Sequence, residues 1–271
     1  MRAKSGLLLG FFVLAAMGWS QAKPGDVVQD GPDAQNSTRI EAVTYSEIPG
    51  AVFLLLREFA DKVGWEVAYD ATAEATTLNG HPLEDKAIRQ LWAGTPIFEI
   101  SELKGMGVQI KKKGASGYSL DIEGRTYEVV IPEKFVEVSI AHQQIRAWQG
   151  SHVVMKTACC TGMPGHLTPI GKFRTGPIKV PMKYSSKYES APMPWSTQVS
   201  GDYFAHGSNS VPGHPASHGC IRLPLTGKNA ARYFYTWVDQ NVRFSIATDW
   251  SEQAKELTAS AVTELVGTAR L

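Results

Sequence analysis

The chain has 271 residues, which is room for one large domain or two modest ones, each able to bury its own core. Its formal net charge is +1, from 27 Lys and Arg against 26 Asp and Glu. This balance gives no electrostatic reason to expect a nucleic acid partner, and none is predicted.

The first 22 residues have the layout of a secretory signal peptide. Two basic residues precede an apolar run from Leu7 to Trp19, and small residues follow as far as Ala22. The run is shorter than the ~20 residues that a spanning helix needs. We therefore expect an exported protein of the periplasm or cell envelope, without a transmembrane segment in the mature chain. An uncleaved anchor is the alternative.

Residues 23–43 are rich in Asp, Gln, Gly, Pro, Asn and Ser, which predicts a flexible leader. Apolar residues then recur at helical spacing from Val52 to Val63, and Gly64 stops the helix. The alternating residues 65–69 predict a short strand.

A second helix is predicted from Pro82 to Leu91, because Pro82 suits a first turn and an apolar stripe follows it. Two strands are predicted at 97–100 and 108–110. Together these elements form a small α/β module over residues 44–113.

Two landmarks in this module, Leu78-Asn79-Gly80 and the run from Leu91 to Thr95, carry a resemblance. The module resembles the small domain at the N-terminus of secretins and some TonB-dependent receptors. The resemblance implies docking to an envelope protein, and a stabilising appendage is the alternative. Nothing in the module has the pattern of a catalytic site.

From residue 118 the pattern becomes all-β, with short strands predicted over 136–140, 145–148 and 153–158. The proline-rich segment 177–195 is predicted to be a long loop over a groove. A late helix from Ala230 to Trp237, a closing strand at 242–247 and a helical tail over 251–271 complete the chain. The predicted fold class is α+β: a mostly-β sandwich over 118–248, preceded by the small α/β module.

The segment Ser217-His218-Gly219-Cys220 places a thiol beside a histidine and a glycine, and His206-Gly207 lies upstream. A cysteine nucleophile needs a neighbour that accepts its proton, and a histidine is the usual one. Backbone N–H groups in a tight turn can stabilise an oxyanion. By spacing alone, either His206 or His218 could be the base.

Two other interpretations of these residues are possible. His206, His214, His218 and Cys220 could bind zinc, but a coordinated thiolate could not attack a substrate, so no metal or cofactor is expected. Cys159 and Cys160 are adjacent on a predicted strand and are interpreted as small buried residues. A disulfide from either one to Cys220 is the minority alternative.

Two motifs in this region carry a resemblance to a known family. The first is the His206-Gly207 pair, followed by a short loop and then Ser217-His218-Gly219-Cys220-Ile221-Arg222. The second is Thr161-Gly162, followed by Thr168-Pro169-Ile170-Gly171-Lys172-Phe173. Residues 135–248 thereby resemble the catalytic domain of the L,D-transpeptidases, the YkuD domain.

The resemblance implies that Cys220 is the acylated nucleophile, His206 its base and the Gly207 carbonyl the group that orients the imidazole. It implies oxyanion or substrate-binding roles for Ser217, His218 and Gly219. Arg222 would bind a substrate carboxylate or brace the turn.

The implied substrate is the peptidoglycan stem peptide, which is cleaved with release of D-alanine and passed to an amine. With water as acceptor, the enzyme would be an L,D-carboxypeptidase. A catalytically idle wall-binding or docking module is the alternative outside enzymes.

Overall fold

The computed structural model describes residues 38–72, 75–115 and 117–250. The predicted signal peptide, the tail over 251–271 and most of the predicted leader lie outside the described residues. Within the described ranges, no helix is long and apolar enough to span a bilayer.

The structure is mostly β, which confirms the predicted fold class. The strands of the described residues are β1 Arg39–Val43, β2 Phe53–Leu55, β3 Val67–Asp70, β4 Ala75–Leu78, β5 His81–Pro82, β6 Ile88–Gln90, β7 Pro96–Glu99, β8 Gln109–Lys113, β9 Gly117–Ile122, β10 Arg125–Val130, β11 Lys134–Ser139, β12 Gln144–Gln149, β13 His152–Ala158, β14 Gly171–Arg174, β15 Lys179–Tyr184, β16 Pro192–Ser200, β17 Tyr203–Ser208, β18 Ile221–Pro224 and β19 Arg243–Ala247. The helices are α1 Leu56–Val63 and α2 Ala230–Trp237, with 3-10 turns at Asp85–Ala87 and Ile100–Met106.

The strands form four sheets. A seven-stranded sheet has the order β6-β7-β2-β1-β10-β9-β8, and a small sheet has the order β3-β4-β5. The other two have the orders β13-β12-β11-β19-β14 and β15-β16-β17-β18. These last two sheets contribute to one buried core, with Val136 and Val138 from one and Ala205 and Ile221 from the other, so they pack as the predicted sandwich.

Each helix follows from its local sequence. Leu56, Phe59 and Ala60 form the buried face of α1, and the helix ends at Gly64 in a left-handed conformation. The side chain of Asn229 caps α2 by accepting a hydrogen bond from the Arg232 N–H. Phe234 and Trp237 of α2 are buried in the core of the sandwich.

The predicted second helix of the small module is wrong. Residues 81–90 form β5, a 3-10 turn and β6, and Ile88 pairs with Phe98 of β7. The apolar residues that suggested one helical stripe are buried in two different places: Leu83 belongs to the core of the seven-stranded sheet and Leu91 to the core of the sandwich. A single helix face could not reach both.

Two predicted boundaries are also corrected. The flexible leader was predicted to run to residue 43, but β1 lies within it and pairs with both β2 and β10. The catalytic domain was predicted to begin at 118, whereas β9 and β10 pair with β8 and β1 in the first sheet. Only the pairing of β1 with β10 joins segments distant in sequence, and local composition could not reveal that contact. The division of the chain into domains otherwise stays a prediction.

The predicted loop over 177–195 is largely a hairpin of β15 and β16. The pairing passes over Pro181, since Val180 pairs with Ser196 and Met182 with Pro194. β15 is an edge strand, so it has no partner strand on its outer side. Pro181 therefore interrupts no second row of backbone hydrogen bonds, although it lacks an N–H. The connection between the two strands, residues 185–191, lies over the groove described below.

Candidate active site

The two predicted site segments lie on neighbouring strands. β17 and β18 pair in parallel, with Ala205 opposite Ile221 and His206 opposite Arg222. Cys220 immediately precedes β18, so the pairing brings the thiol segment beside the histidine segment. Both His206 and Cys220 line a groove of about 710 Å³.

The groove also takes side chains from the loop over 185–191 and from the start of β17. Ser217, His218 and Arg222 line it, as do Lys187, Tyr188, Asp202 and Tyr203. The structure thus brings all the predicted side chains of the site to one surface.

His206 is held in one orientation. Its side chain is 7% exposed, and Nδ1 lies 2.9 Å from the carbonyl oxygen of Gly207. Because a carbonyl can only accept, Nδ1 carries the proton and donates it, which leaves Nε2 as the basic nitrogen. Burial, together with the nearby Arg222 cation, lowers the pKa of His206 to about 4 even though the Gly207 hydrogen bond opposes this. The imidazole is therefore neutral at pH 7.

Cys220 is a partly buried thiol. Burial raises its pKa, while a hydrogen bond from the Phe204 backbone and the charge of Arg222 act in the opposite direction. At pH 7 the two groups are thus a neutral thiol and a neutral imidazole.

The turn before Cys220 is fixed by the hydroxyl of Ser217. This side chain is fully buried, and Oγ donates to the carbonyl oxygen of Cys220 at 2.6 Å. Oγ also accepts from the N–H of Gly219 at 3.1 Å. Gly219 has φ +109, and a Cβ there would lie 2.7 Å from Cε1 of Tyr203, so the turn requires glycine.

The upstream threonine motif packs directly behind this turn. Gly162 and Ser217 form an isolated bridge, and the Ser217 N–H donates to the carbonyl of Thr161 at 2.9 Å. Cys160 and Arg222 form a second bridge, with N–H to carbonyl distances of 3.0 and 2.9 Å. The two motifs that are separate in sequence are thus one structural unit.

His218 is exposed at the edge of the groove. Its ring stacks on Tyr188, with centroids 4.3 Å apart and an interplanar angle of 25°. It also contacts His166 edge-on, at 4.9 Å. An ion pair of 2.7 Å between Lys187 and Asp202 ties the Tyr188 loop to the start of β17.

The alternatives raised by the sequence receive no support from the geometry. All three cysteines are free thiols, and Cys159 and Cys160 are buried. Sγ of Cys160 lies 3.4 Å from the carbonyl oxygen of His214, whose side chain is exposed. Among residues 38–72, 75–115 and 117–250, no group of three or more His, Cys, Asp and Glu could hold a metal ion.

Sequence reasoning missed Tyr188, Asp202 and Tyr203 as parts of this surface. Only the aromatic content of the 177–195 segment could have indicated Tyr188. Asp202 and Tyr203 lie in a turn with no motif, so their place at the groove depends on the pairing of β16 with β17.

Comparison with known proteins identifies the family of this region. Residues 133–254 match the family model of the YkuD L,D-transpeptidase catalytic domain. The predicted family is thereby confirmed for this part of the chain, whereas the likeness of the first part to secretin domains stays a prediction. No curated protein sequence matches the chain.

Solved structures similar to this chain include three L,D-transpeptidases. One from Stackebrandtia nassauensis is 21% identical over 43% of this chain and 56% of its own, with a TM-score of 0.39. One from Xylanimonas cellulosilytica is 25% identical over 43% of this chain and 61% of its own, with a TM-score of 0.38. One from Mycobacterium smegmatis is 17% identical over 77% of this chain and 99% of its own, with a TM-score of 0.39. The chain thus spans less than two thirds of the length of the first two.

Proposed function

We propose that this protein is an L,D-transpeptidase that acts on peptidoglycan stem peptides through a thioester on Cys220. The observation that carries the proposal is that His206 on β17 and Cys220 just before the adjacent β18 line one groove, with His206 neutral and oriented by the Gly207 carbonyl. The family of residues 133–254 supplies the substrate class.

In the proposed reaction, Nε2 of His206 takes the proton of the thiol while Sγ of Cys220 bonds to the carbonyl carbon of the third stem residue. The tetrahedral intermediate collapses and breaks the amide bond to D-alanine. The leaving amine takes the proton from His206, and the peptide remains as a thioester.

An acceptor amine then attacks the thioester carbonyl and gives its proton to His206, and the Cys220 thiol is regenerated. The amine of another stem peptide yields a cross-link, and water in its place yields a shortened stem. The same residues serve both half-reactions, because His206 alternates between base and acid.

The positive charge of Arg222 acts on both groups of the proposed reaction. It lies opposite His206 in the strand register, where it keeps the imidazole neutral at rest and opposes its protonation, and it favours the thiolate of Cys220. A role in binding a substrate carboxylate is compatible with its place in the groove lining.

The proposed location is the periplasm or cell envelope, where the substrate lies. This rests on the signal-like residues 1–22 and on the substrate class. Docking of an envelope protein by the first part of the chain remains a proposal. Support for the alternative, a stabilising role, comes from Val43, Tyr45 and Phe53, which belong to the same buried core as Phe234.

The test is incubation of the protein with muropeptides that carry tetrapeptide stems, with the products resolved by mass spectrometry. A cross-linked dimer with loss of D-alanine supports the transpeptidase, and a tripeptide product alone supports the carboxypeptidase. Cys220→Ala should abolish both products, whereas Cys159→Ala, which removes a buried thiol outside the groove, should retain them. Unchanged substrate with the wild-type protein would refute the proposal.

A further inference from the structure

Thr168 connects two turns of the site through a single hydroxyl. The residue is 4% exposed, and its Oγ1 accepts a hydrogen bond from the Gly162 N–H at 2.8 Å. The same oxygen donates to the carbonyl oxygen of Gly219 at 2.8 Å. A hydroxyl has one proton, and with the Gly162 N–H directed at a lone pair, that proton goes to Gly219.

The Gly219 carbonyl belongs to the same peptide group as the Cys220 N–H. In a planar trans peptide, the C=O and N–H bonds point in opposite directions. Because Thr168 holds the carbonyl on the buried side, the N–H of Cys220 is directed away from it. Within the described part of the chain, this N–H donates to no acceptor.

The preceding backbone N–H, that of Gly219, is not free to bind another acceptor as the N–H of Cys220 is. The N–H of Gly219 already donates to Oγ of Ser217. The Ser217 hydroxyl also holds the carbonyl of Cys220, on the other side of the nucleophile. Two buried hydroxyls thus fix the carbonyls before and after the thiol, and the free donor between them is the Cys220 N–H.

We propose that Thr168 is a positioning residue that aims the Cys220 N–H at the oxyanion formed when the thiol attacks a substrate carbonyl. The inference rests on the proposed acyl transfer and deepens it, because it assigns the direction of one oxyanion donor to a side chain outside the groove lining. Thr168 acts through the Gly219 peptide group and contacts no substrate itself.

The experiment compares two reactions of the same thiol. Acylation by a carbapenem passes through an oxyanion, whereas alkylation by iodoacetamide does not, so the ratio of their second-order rate constants isolates oxyanion stabilisation. Thr168→Val keeps the shape of the side chain and removes both hydrogen bonds. Thr168→Ser keeps the hydroxyl and should retain the wild-type ratio.

We expect Thr168→Val to lower the acylation rate constant by about tenfold to a hundredfold and to leave alkylation within about twofold. The loss is smaller than the ~10²–10³ found on removing an oxyanion donor, because the N–H remains and only its direction is released. Rate constants are measured by mass spectrometry of the intact protein, after thermal melts confirm folding. If Thr168→Val is insoluble, Thr168→Ala takes its place.

Thr175→Val is the matched control. Thr175 is also 4% exposed, and its Oγ1 donates to the Asp239 carbonyl and accepts from the Val242 N–H, at 2.7 and 2.9 Å. This variant loses the same pair of hydrogen bonds away from the groove and should keep the wild-type ratio.

The possible failures are distinguishable. Equal acylation of wild type and Thr168→Val overturns the role of Thr168 alone, and so does an equal loss of acylation and alkylation, which marks a merely structural residue. A wild-type protein that forms no acyl adduct and turns over no muropeptide overturns the proposed function together with this inference.

Discussion

His206 and Arg222 are Cα partners across the parallel pair of β17 and β18. A cation beside a buried imidazole disfavours its protonated form, and the same cation favours the thiolate of Cys220. One guanidinium thus acts to lower the pKa of both His206 and Cys220. It keeps His206 neutral at rest, and it opposes the imidazolium while it favours the thiolate when a proton moves between the two groups.

Replacing Arg222 with a neutral residue should raise the pKa of both His206 and Cys220. In Arg222→Gln the pKa of His206 rises, so the loss of acylation at acid pH begins at a higher pH than in wild type. The pKa of Cys220 also rises, so alkylation by iodoacetamide at pH 8 should slow several-fold. Both are read from rate–pH profiles, with Arg243→Gln, at an exposed arginine, as the control. Unchanged profiles in Arg222→Gln would contradict the electrostatic role.

The buried neutral His206 should also make the fold sensitive to acid. Its folded pKa of about 4 lies below 6.5, the usual pKa of a histidine in an unfolded chain. Between these values the unfolded chain binds more protons, so the free energy of unfolding falls as the pH drops from about 6.5 to 4. This one group accounts for a loss on the order of 3 kcal/mol by pH 4. Urea unfolding of His206→Gln at pH 7 and pH 4 should show a correspondingly smaller loss than wild type, and an equal loss would refute it.

A methyl group at Gly219 should destroy the turn that presents the thiol. The residue has φ +109, and a Cβ would lie 2.7 Å from the Tyr203 ring. Gly219→Ala should therefore reduce acylation by about a hundredfold or more, since the displaced turn moves the thiol as well as the backbone donors, and removal of one oxyanion donor alone costs ~10²–10³. Gly213→Ala is the control, because Gly213 has φ +80 but no atom within 4 Å of its added Cβ. Comparable losses in the two variants would mean that positive φ alone, and not the approach to Tyr203, sets the requirement.

Tyr188 should contribute to substrate binding more than to the chemical step. Its ring stacks on His218 at the edge of the groove, and such ring pairs contribute about 0.5–1.5 kcal/mol. In Tyr188→Ala we expect KM for a tetrapeptide muropeptide to rise about twofold to tenfold with kcat nearly unchanged. Tyr184→Ala removes an exposed tyrosine that does not line the groove and should leave both constants unchanged. A fall in kcat without a change in KM would contradict the assignment.

The meeting of His206 and Cys220 at one groove was predictable from the sequence, whereas the surroundings of the two residues were not. The His206 and Cys220 segments carry a motif that can be recognised from the residues themselves and the short loop between them. The choice of His206 over His218 as the base needed the family resemblance, and the geometry now supports it through the buried Nδ1 contact to Gly207. Tyr188 and Asp202 reach the groove only through long-range strand pairing, which no local pattern encodes.

The fold shows the same division. Strands β11, β12, β13 and β19 of the sandwich and helix α2 followed from periodicity, whereas β14 to β18 did not. The helix predicted from Val52 to Val63 begins only at Leu56, because Phe53–Leu55 forms β2. The helix predicted over 82–91 is absent because the apolar residues of this segment are buried in two different cores. Their spacing in the sequence nevertheless resembles the apolar stripe of a helix. The sequence prediction missed β1 because Arg39–Val43 follows a polar stretch and was assigned to the leader, although Ile40, Ala42 and Val43 are buried and the strand pairs with β10 far along the chain.

The shared core leads to a last prediction, that the first part of the chain is not separable from the catalytic part. Tyr45 is 3% exposed, and its hydroxyl oxygen lies 2.9 Å from the hydroxyl oxygen of Tyr233. Tyr233 belongs to α2, which packs into the core of the sandwich. Tyr45→Ala should lower the free energy of unfolding by about 3–5 kcal/mol, as for other large aromatic truncations in a core. The exposed Tyr69→Ala should stay within about 0.5 kcal/mol of wild type.

The form of the transition tests the idea further. If the core is continuous, Tyr45→Ala shifts one cooperative urea transition, followed together by far-UV circular dichroism and by the accessibility of the buried Cys159 to iodoacetamide. Two separated transitions, with Cys159 still protected after the first part has unfolded, would instead show that the first part unfolds independently. Because Val43, Tyr45 and Phe53 share their core with Phe234, we expect the single transition.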